Sequence, residues 1–368
     1  MYRTCSAILM RRPFPPGLTR GGGETKKGIL SQPSSKGNAA PWLPLAPDPG
    51  IMFYNNKLKV FSGRANIPLA EKIARQLGDK LGAIALTNFP DGEISVRIEE
   101  DVRGRDIFLV QPTCPPVNEN LMELLVMLDS FKRASAARIT AVLPYYGYAR
   151  QDRKDQGRVP ITAKLVADLV SVAGADRVLA LDLHAAQIQG FFDVPVDHLH
   201  AGPVINTYLR SMRIAPEDLV VLSPDEGSIK RSLLHQKKLG GSIAIVDKRR
   251  SSAIQTEAAN IIGATLADKV VVLFDDMVST AGTVVNASRI AIDKGAREVY
   301  ICATHAVLCG GAVERLRDAP VRQVVVTDSI PVPPERQLNK LTILTVAPLL
   351  ADAIKRIHYN ESVSKLFE

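Results

Sequence analysis

Residues 270–284 read VVVLFDDMVSTAGTV, a stretch whose residue types and spacing could do chemistry. An apolar run that reads as a buried strand ends on two acids, Asp275 and Asp276. Ser279, Thr280, Ala281, Gly282 and Thr283 follow, leading into an expected helix over 283–294. In parallel α/β sheets, ligands bind beyond the carboxyl ends of the strands. Small residues let backbone amides approach a ligand, hydroxyls add donors, and a helix N-terminus supplies positive potential. The stretch therefore reads as a phosphate cradle, with the acids accepting hydrogen bonds from sugar hydroxyls. A plain helix cap behind solvated acids would account for Ser or Thr alone. It does not account for two acids joined to this cradle.

A second constellation lies in residues 182–197, DLHAAQIQGFFDVPVD. Asp182, His184, Asp193 and Asp197 offer hard oxygens and an imidazole near a strand end, a set suited to Mg²⁺ bridging phosphates. A lone histidine is usually a satisfied core residue. This one sits among three acids, Gln187 and Gln189. Four shorter stretches stand out besides: FPDGE (89–93), YYGYARQD (145–152), SPDEG (223–227) and VDKRR (246–250). Each has a plainer explanation. Phe89 could be core, Lys248 to Arg250 a solvated charge run, and Arg150 and Arg153 surface cations. Location favours function. The cations at 248–250 follow an apolar strand and lead into SSAIQTEAAN, which reads as a flap able to close over a polyphosphate. Arg150 and Arg153 follow the strand-end aromatics Tyr145, Tyr146 and Tyr148. His305, just after a strand, is a further candidate for the site. His198, His200, His235 and His358 read as structural or surface residues.

These residues need elements to hold them. From Lys57 the chain alternates short β-branched runs (LKVFSG, DIFLVQ, RITAVLPYY, DRVLALDLH) with amphipathic stretches such as IPLAEKIARQLG and ITAKLVADLVSVAG. The idiom repeats after residue 218. Continuous apolar runs without alternation mean strands buried on both faces, hence parallel sheets flanked by helices, an α/β class. Residues 106–145 and 269–307 share a strand–loop–helix–strand pattern. The first loop, QPTCPPVNEN, lacks the double acid and the cradle, so only the second half carries this site.

The 368 residues suit two domains of ordinary size. The net charge of +8 is concentrated in residues 1–51, where Arg3, Arg11, Arg12, Arg20, Lys26, Lys27 and Lys36 face only Glu24 and Asp48. The body is near neutral, so a basic nucleic-acid-binding face is not required. No apolar run approaches the roughly 20 residues needed to cross a bilayer. Four cysteines without C-x-x-C spacing read as free thiols in a reducing compartment. Residues 1–51 are rich in Pro, Gly and Ser and read as disordered or non-native. A start at Met52 is preferred over a transit peptide, because the Gly and Pro density opposes an amphipathic helix.

The loop at 275–283 resembles the phosphoribosyl-pyrophosphate loop of phosphoribosyltransferases and of ribose-phosphate pyrophosphokinases. The string DLHAAQIQGFFD resembles the signature of the pyrophosphokinases, and the four shorter stretches agree, over about residues 52–368. The resemblance implies two tandem phosphoribosyltransferase-like domains, 52–203 and 204–348, with a C-terminal helix over 349–368 packing on the first. It implies transfer of a pyrophosphoryl group from ATP to the 1-hydroxyl of ribose 5-phosphate, giving phosphoribosyl pyrophosphate and AMP. Lys248 and Arg250 are then the catalytic cations. Phe89, Asp91, Gly92, Glu93, Arg150, Gln151 and Asp152 bind ATP. Mg²⁺ falls to His184 and Asp225, with Asp182, Asp193 and Asp197 as further ligands. Asp275, Asp276 and residues 279–283, with Arg250, hold ribose 5-phosphate. The resemblance also implies a homo-oligomer, a hexamer, activation by phosphate, and a cytoplasmic enzyme unless the N-terminal extension directs it to an organelle. A phosphoribosyltransferase and a non-catalytic partner of a synthase are the alternatives. Ser279 departs from the family, which commonly carries aspartate there.

Overall fold

The computed structural model describes residues 57–247 and 260–367, so the extension 1–51, the proposed start Met52, Lys248 and Arg250 lie outside the described residues. The first half runs β1 (Leu58–Ser62), α1 (Ile67–Gln76), β2 (Ile84–Asn88), β3 (Ile94–Ile98), β4 (Asp106–Val110), α2 (Val117–Arg133), β5 (Arg138–Leu143), α3 (Thr162–Ala173), β6 (Arg177–Leu181), β7 (Val196–Leu199) and α4 (Gly202–Ser211). The second half runs β8 (Leu219–Ser223), α5 (Ile229–Leu239), β9 (Ser242–Asp247), β10 (Asn260–Gly263), β11 (Val270–Val278), α6 (Gly282–Asp293), β12 (Glu298–Ala306), α7 (Ala312–Asp318), β13 (Gln323–Thr327), β14 (Leu341–Leu344) and α8 (Ala347–His358).

The first sheet has the order β1-β4-β5-β6-β7, all parallel. The second has the order β10-β9-β8-β11-β12-β13-β14, parallel except for β10 at one edge. The expected α/β class with parallel sheets flanked by helices is therefore present. Strand residues alternate between faces with period two, and the packing follows that rule. Phe108 and Val110 of β4, with Val270, Val272 and Phe274 of β11, join one core shared with α1, α4 and α8. Ile107 and Leu109 turn the other way and pack under α2 and α3. Val271 and Leu273 do the same under α6 and α7. One apolar layer thus lies between the two sheets and bonds them into a single body.

The expected helix over 349–368 is α8 followed by a 3₁₀ turn at Ser364–Phe367. It breaks because Asn360 adopts a left-handed φ of 55°. The helix lies against the first half. Its Ile357 carbonyl accepts from Arg138 Nη2 at 3.1 Å, and His358 Nδ1 meets the buried Asp106 carboxylate at 2.7 Å. The FPDGE turn joins β2 and β3, an antiparallel hairpin that stands apart from both sheets.

His235 of α5 stacks on Phe274 with ring centroids 3.6 Å apart, and its Nδ1 sits 2.7 Å from Asn206 Oδ1. Burial pushes its pKa down to about 4, against about 6.5 in an unfolded chain. The unfolded chain therefore takes up the proton first as pH falls. Stability from this residue is complete above about pH 6.5 and is lost towards pH 4, by about 3 kcal/mol. Urea midpoints at pH 7 and 4.5 are expected to differ less in His235→Gln than in the parent. Equal differences would remove His235 as a cause.

Candidate active site

A cavity of about 420 Å³ opens at the carboxyl ends of the strands, where both sheets contribute. The loop after β8 supplies Asp225, Gly227 and Ser228, and α5 supplies Arg231. The end of β11 and the turn into α6 supply Asp275 to Val284. From the first sheet come His184, Ala185 and Gln187 after β6, and Arg150, Asp152 and Arg153 after β5. Such convergence at strand ends is where open α/β sheets place ligands.

The acids do not end their strand. β11 continues through Met277 and Val278, which pair with His305 and Ala306 of β12. The ladder therefore carries Asp276 into the interior, where it is 4% exposed. His184 Nδ1 reaches across from the first sheet to Asp276 Oδ2 at 2.6 Å. Arg231 Nη1 lies between the two acids, 3.2 Å from Asp275 Oδ1 and 3.3 Å from Asp276 Oδ1. The hydrogen bond to Asp276 raises the pKa of His184, with the carboxylate charge adding to it. Burial alone would raise Asp276, but the His184 hydrogen bond and the Arg231 charge outweigh it and hold the carboxyl low. Asp275 takes the opposite course. Burial, then the neighbouring Asp276, push it up. Two close carboxylates thus divide their roles: one stays ionised, the other resists a second negative charge.

The cradle begins with Ala281 at φ 63°, a left-handed conformation that costs a non-glycine residue about 1 kcal/mol or more. This turn leads directly into Gly282, the first residue of α6. The loop is held from outside by Arg315 Nη1, which donates to the Thr280 carbonyl at 2.8 Å. Ser279 is tied to Cys309: its carbonyl accepts from Cys309 N at 3.0 Å, and its Oγ lies 3.4 Å from Cys309 Sγ.

Not every expected residue joins this cavity. Asp182 belongs to the layer beneath it. Its backbone is left-handed at φ 41°, and its carboxylate accepts from His200 Nδ1 at 2.8 Å, Ala201 N at 2.9 Å and Thr304 Oγ1 at 2.6 Å. His305, a candidate for the site, is buried there too, between Ser329 Oγ and the Asp182 carbonyl. Asp182 thus latches the first sheet to β12 immediately behind His184. Asp197 lies on β7 and pairs with Arg177 at 2.6 Å, and Asp193 is exposed; neither lines the cavity. Gln151 accepts from Thr162 Oγ1 and also lies off the lining, whereas Gln187 Nε2 donates to Asp152 Oδ2 at 2.7 Å. Phe89, Asp91, Gly92 and Glu93 form the tip of the β2–β3 hairpin. Phe89 is 53% exposed, and none of the four lines the cavity.

Arg231 escaped the sequence reading because it looks like any solvent cation on α5, beside Lys230, Lys237 and Lys238. Its one sequence signal is a position one helical turn after SPDEG. Hydrogen bonds to charged groups contribute about 1.5–3 kcal/mol, so Arg231→Met is expected to weaken binding of a sugar phosphate to these acids about 10- to 100-fold, read as a raised KM. An unchanged KM would separate Arg231 from the acids' function.

Comparison with known proteins gives this geometry a family. A model of the N-terminal domain of ribose phosphate pyrophosphokinase matches residues 58–174, and a model of the phosphoribosyl synthetase-associated domain matches residues 225–368. A ribose-phosphate pyrophosphokinase of Rhodopirellula baltica is 63% identical over 311 residues, covering 84% of this chain and 98% of its own. The chain belongs to the ribose-phosphate pyrophosphokinase family. A chloroplastic ribose-phosphate pyrophosphokinase of Arabidopsis thaliana is similar at 52% identity, covering 85% of this chain and 78% of its own. The crystal structure of phosphoribosylpyrophosphate synthetase from Mycobacterium smegmatis superposes with a TM-score of 0.78 at 43% identity, covering 83% of this chain and 99% of that one. In this pyrophosphokinase one cavity brings together the two acids, residues 279–283 and His184.

Proposed function

We propose that this cavity transfers the pyrophosphoryl group of ATP to the 1-hydroxyl of ribose 5-phosphate, yielding phosphoribosyl pyrophosphate and AMP. The observation that carries this reading is the Asp275–Asp276 pair, bridged by Arg231 and met by His184, directly ahead of the cradle. Asp275 accepts from the ribose hydroxyls. Asp276 has both oxygens engaged and serves chiefly to orient His184 and Arg231. Amides and hydroxyls of residues 279–283 hold the 5-phosphate at the start of α6. Arg150 and Arg153 meet the ATP phosphates. Relatives 63% and 55% identical bear the pyrophosphokinase name, so a transferase or a non-catalytic partner is not favoured.

The donor set fits Mg²⁺. Asp225 spends Oδ1 on Ser228 N at 3.0 Å, and His184 with Nδ1–H on Asp276 keeps the Nε2 lone pair for a cation. His184 and Asp225 would hold the ion, which when bound neutralises charge on the ATP oxygens. The deciding assay is AMP formation from ATP and ribose 5-phosphate with Mg²⁺ and no nucleobase. Absence of AMP, or a requirement for a base, would sink the proposal.

Two finer points rest on the resemblance. Ser279→Asp restores the family's usual carboxylate. It is expected to change the KM for ribose 5-phosphate and leave kcat within about twofold, because the residue borders the bound phosphate and not the reacting centre. A changed kcat would place it nearer the chemistry. The exposed FPDGE turn suits delivery to the cavity of a neighbouring copy in a homo-oligomer, a hexamer on the family pattern, with phosphate as activator. Among the described residues no helix is long and apolar enough to cross a membrane. The cytoplasm is the proposed location, with an organelle as the alternative if residues 1–51 act as a transit peptide.

A further inference from the structure

A second cavity, of about 750 Å³, lies at the other end of the second sheet. Tyr300 is the third residue of β12, Gln323 opens β13, and Lys340 directly precedes β14. These strands run parallel to β11, whose carboxyl end carries Asp275 and Asp276. The new cavity therefore sits at the amino ends of the strands, opposite the reaction cavity.

Its lining holds Arg317, Arg322 and Lys340 and no carboxylate. Most polar groups there are already engaged. Lys340 Nζ donates to the Arg317 and Ala319 carbonyls at 3.0 and 2.9 Å, closing the end of α7. Tyr300 donates its hydroxyl to Glu298 Oε2 at 2.8 Å and also meets Arg322. Gln323 Nε2 donates to Tyr208 Oη at 2.8 Å. Arg317 and Arg322 are exposed, and neither forms an ion pair with a carboxylate among the described residues. Elsewhere on the surface cations commonly find acids, as Arg97 does with Glu99 and Arg297 with Asp218. Two guanidinium groups on one concave wall, each with a planar fork and neither in an ion pair among the described residues, suit an oxyanion; the neighbouring acid, Glu298, is already held by the Tyr300 hydroxyl.

We propose that this cavity binds a phosphate dianion, free or as the phosphate of a small ester, between Arg317 and Arg322. The volume exceeds what the ion needs, and Gln323, Gln337 and Lys340 leave room for an organic remainder. The site rests on none of the catalytic roles above.

Equilibrium dialysis of the full chain against labelled orthophosphate, and separately against labelled glycerol 3-phosphate, tests this. The parent is expected to bind one more equivalent of at least one probe than Arg317→Ala/Arg322→Ala, while the turnover of that variant stays within twofold. Tighter binding of orthophosphate would assign the site to the free ion, and tighter binding of glycerol 3-phosphate to an ester. Crystals of the parent soaked in tungstate should show anomalous scattering beside both arginines. Equal stoichiometry in parent and variant would overturn the proposal. So would tungstate found only at residues 279–283.

Discussion

Asp276→Asn is expected to lower kcat/KM for ribose 5-phosphate about 1000-fold while the protein stays folded. The carboxylate is 4% exposed and serves two partners, His184 at 2.6 Å and Arg231 at 3.3 Å. Asparagine keeps the shape and loses the charge. The histidine then loses the acceptor that fixes its tautomer, and losing such a partner costs about 10- to 100-fold in metal affinity or activity. The lost charge-assisted bond to Arg231 adds about 1.5–3 kcal/mol. Stability should change little. Neutralising position 276 relieves the repulsion that pushes Asp275 up, but it also gives up the Arg231 ion pair and the His184 bond that hold Asp276 low. A melting temperature within a few degrees of the parent's, with activity lost, is the expected pair of results. Retained activity would end the assigned role. A collapsed melting temperature would show that the acid serves the fold.

Lys248→Ala/Arg250→Ala is expected to lower kcat about 1000-fold or more while ATP binding changes only a few-fold. Charge builds on the transferred group and on the AMP oxygen as the bond breaks, and cations aimed at that charge act chiefly in the transition state. β9 runs parallel to β8, so its last residue, Asp247, delivers the chain to the cavity's end of the sheet. Arg150 and Arg153 remain in the lining, and in the proposed reading they hold ATP in the ground state. Single-turnover rates and the Kd for ATP together decide the matter. Near-normal turnover would remove both residues from the mechanism.

The α/β class, the cradle at 279–283 and the special status of Asp275, Asp276 and His184 were legible because each depends on local order. Apolar runs without alternation announce strands buried on both faces, and small residues before a helix announce an anion site. The sets that mixed roles were not legible. Asp182, Asp193, His184 and Asp197 lie within sixteen residues of one another, yet only His184 lines the cavity. Asp197 sits in β7 against Arg177, and Asp182 turns away through a left-handed backbone to bond β12. No spacing rule distinguishes a carboxylate facing a ligand from one facing a neighbouring strand. Arg231 was hidden for the converse reason: a helix presents cations to solvent and to ligands with the same sequence signature.

Sequence alone was enough to single out the residues proposed here for phosphate and sugar, since that proposal rests on side-chain chemistry and the turn before α6. It was also enough for the two parallel sheets, since burial on both faces leaves a mark in composition. Tertiary structure alone determined the pairing of His184 with Asp276, 92 positions apart in the chain. That contact requires the shared core of α1, α4 and α8 to hold the two sheets at one distance. It separates the acids into an ionised Asp276 and a raised Asp275, because relative ionisation depends on burial and on which cation reaches which oxygen.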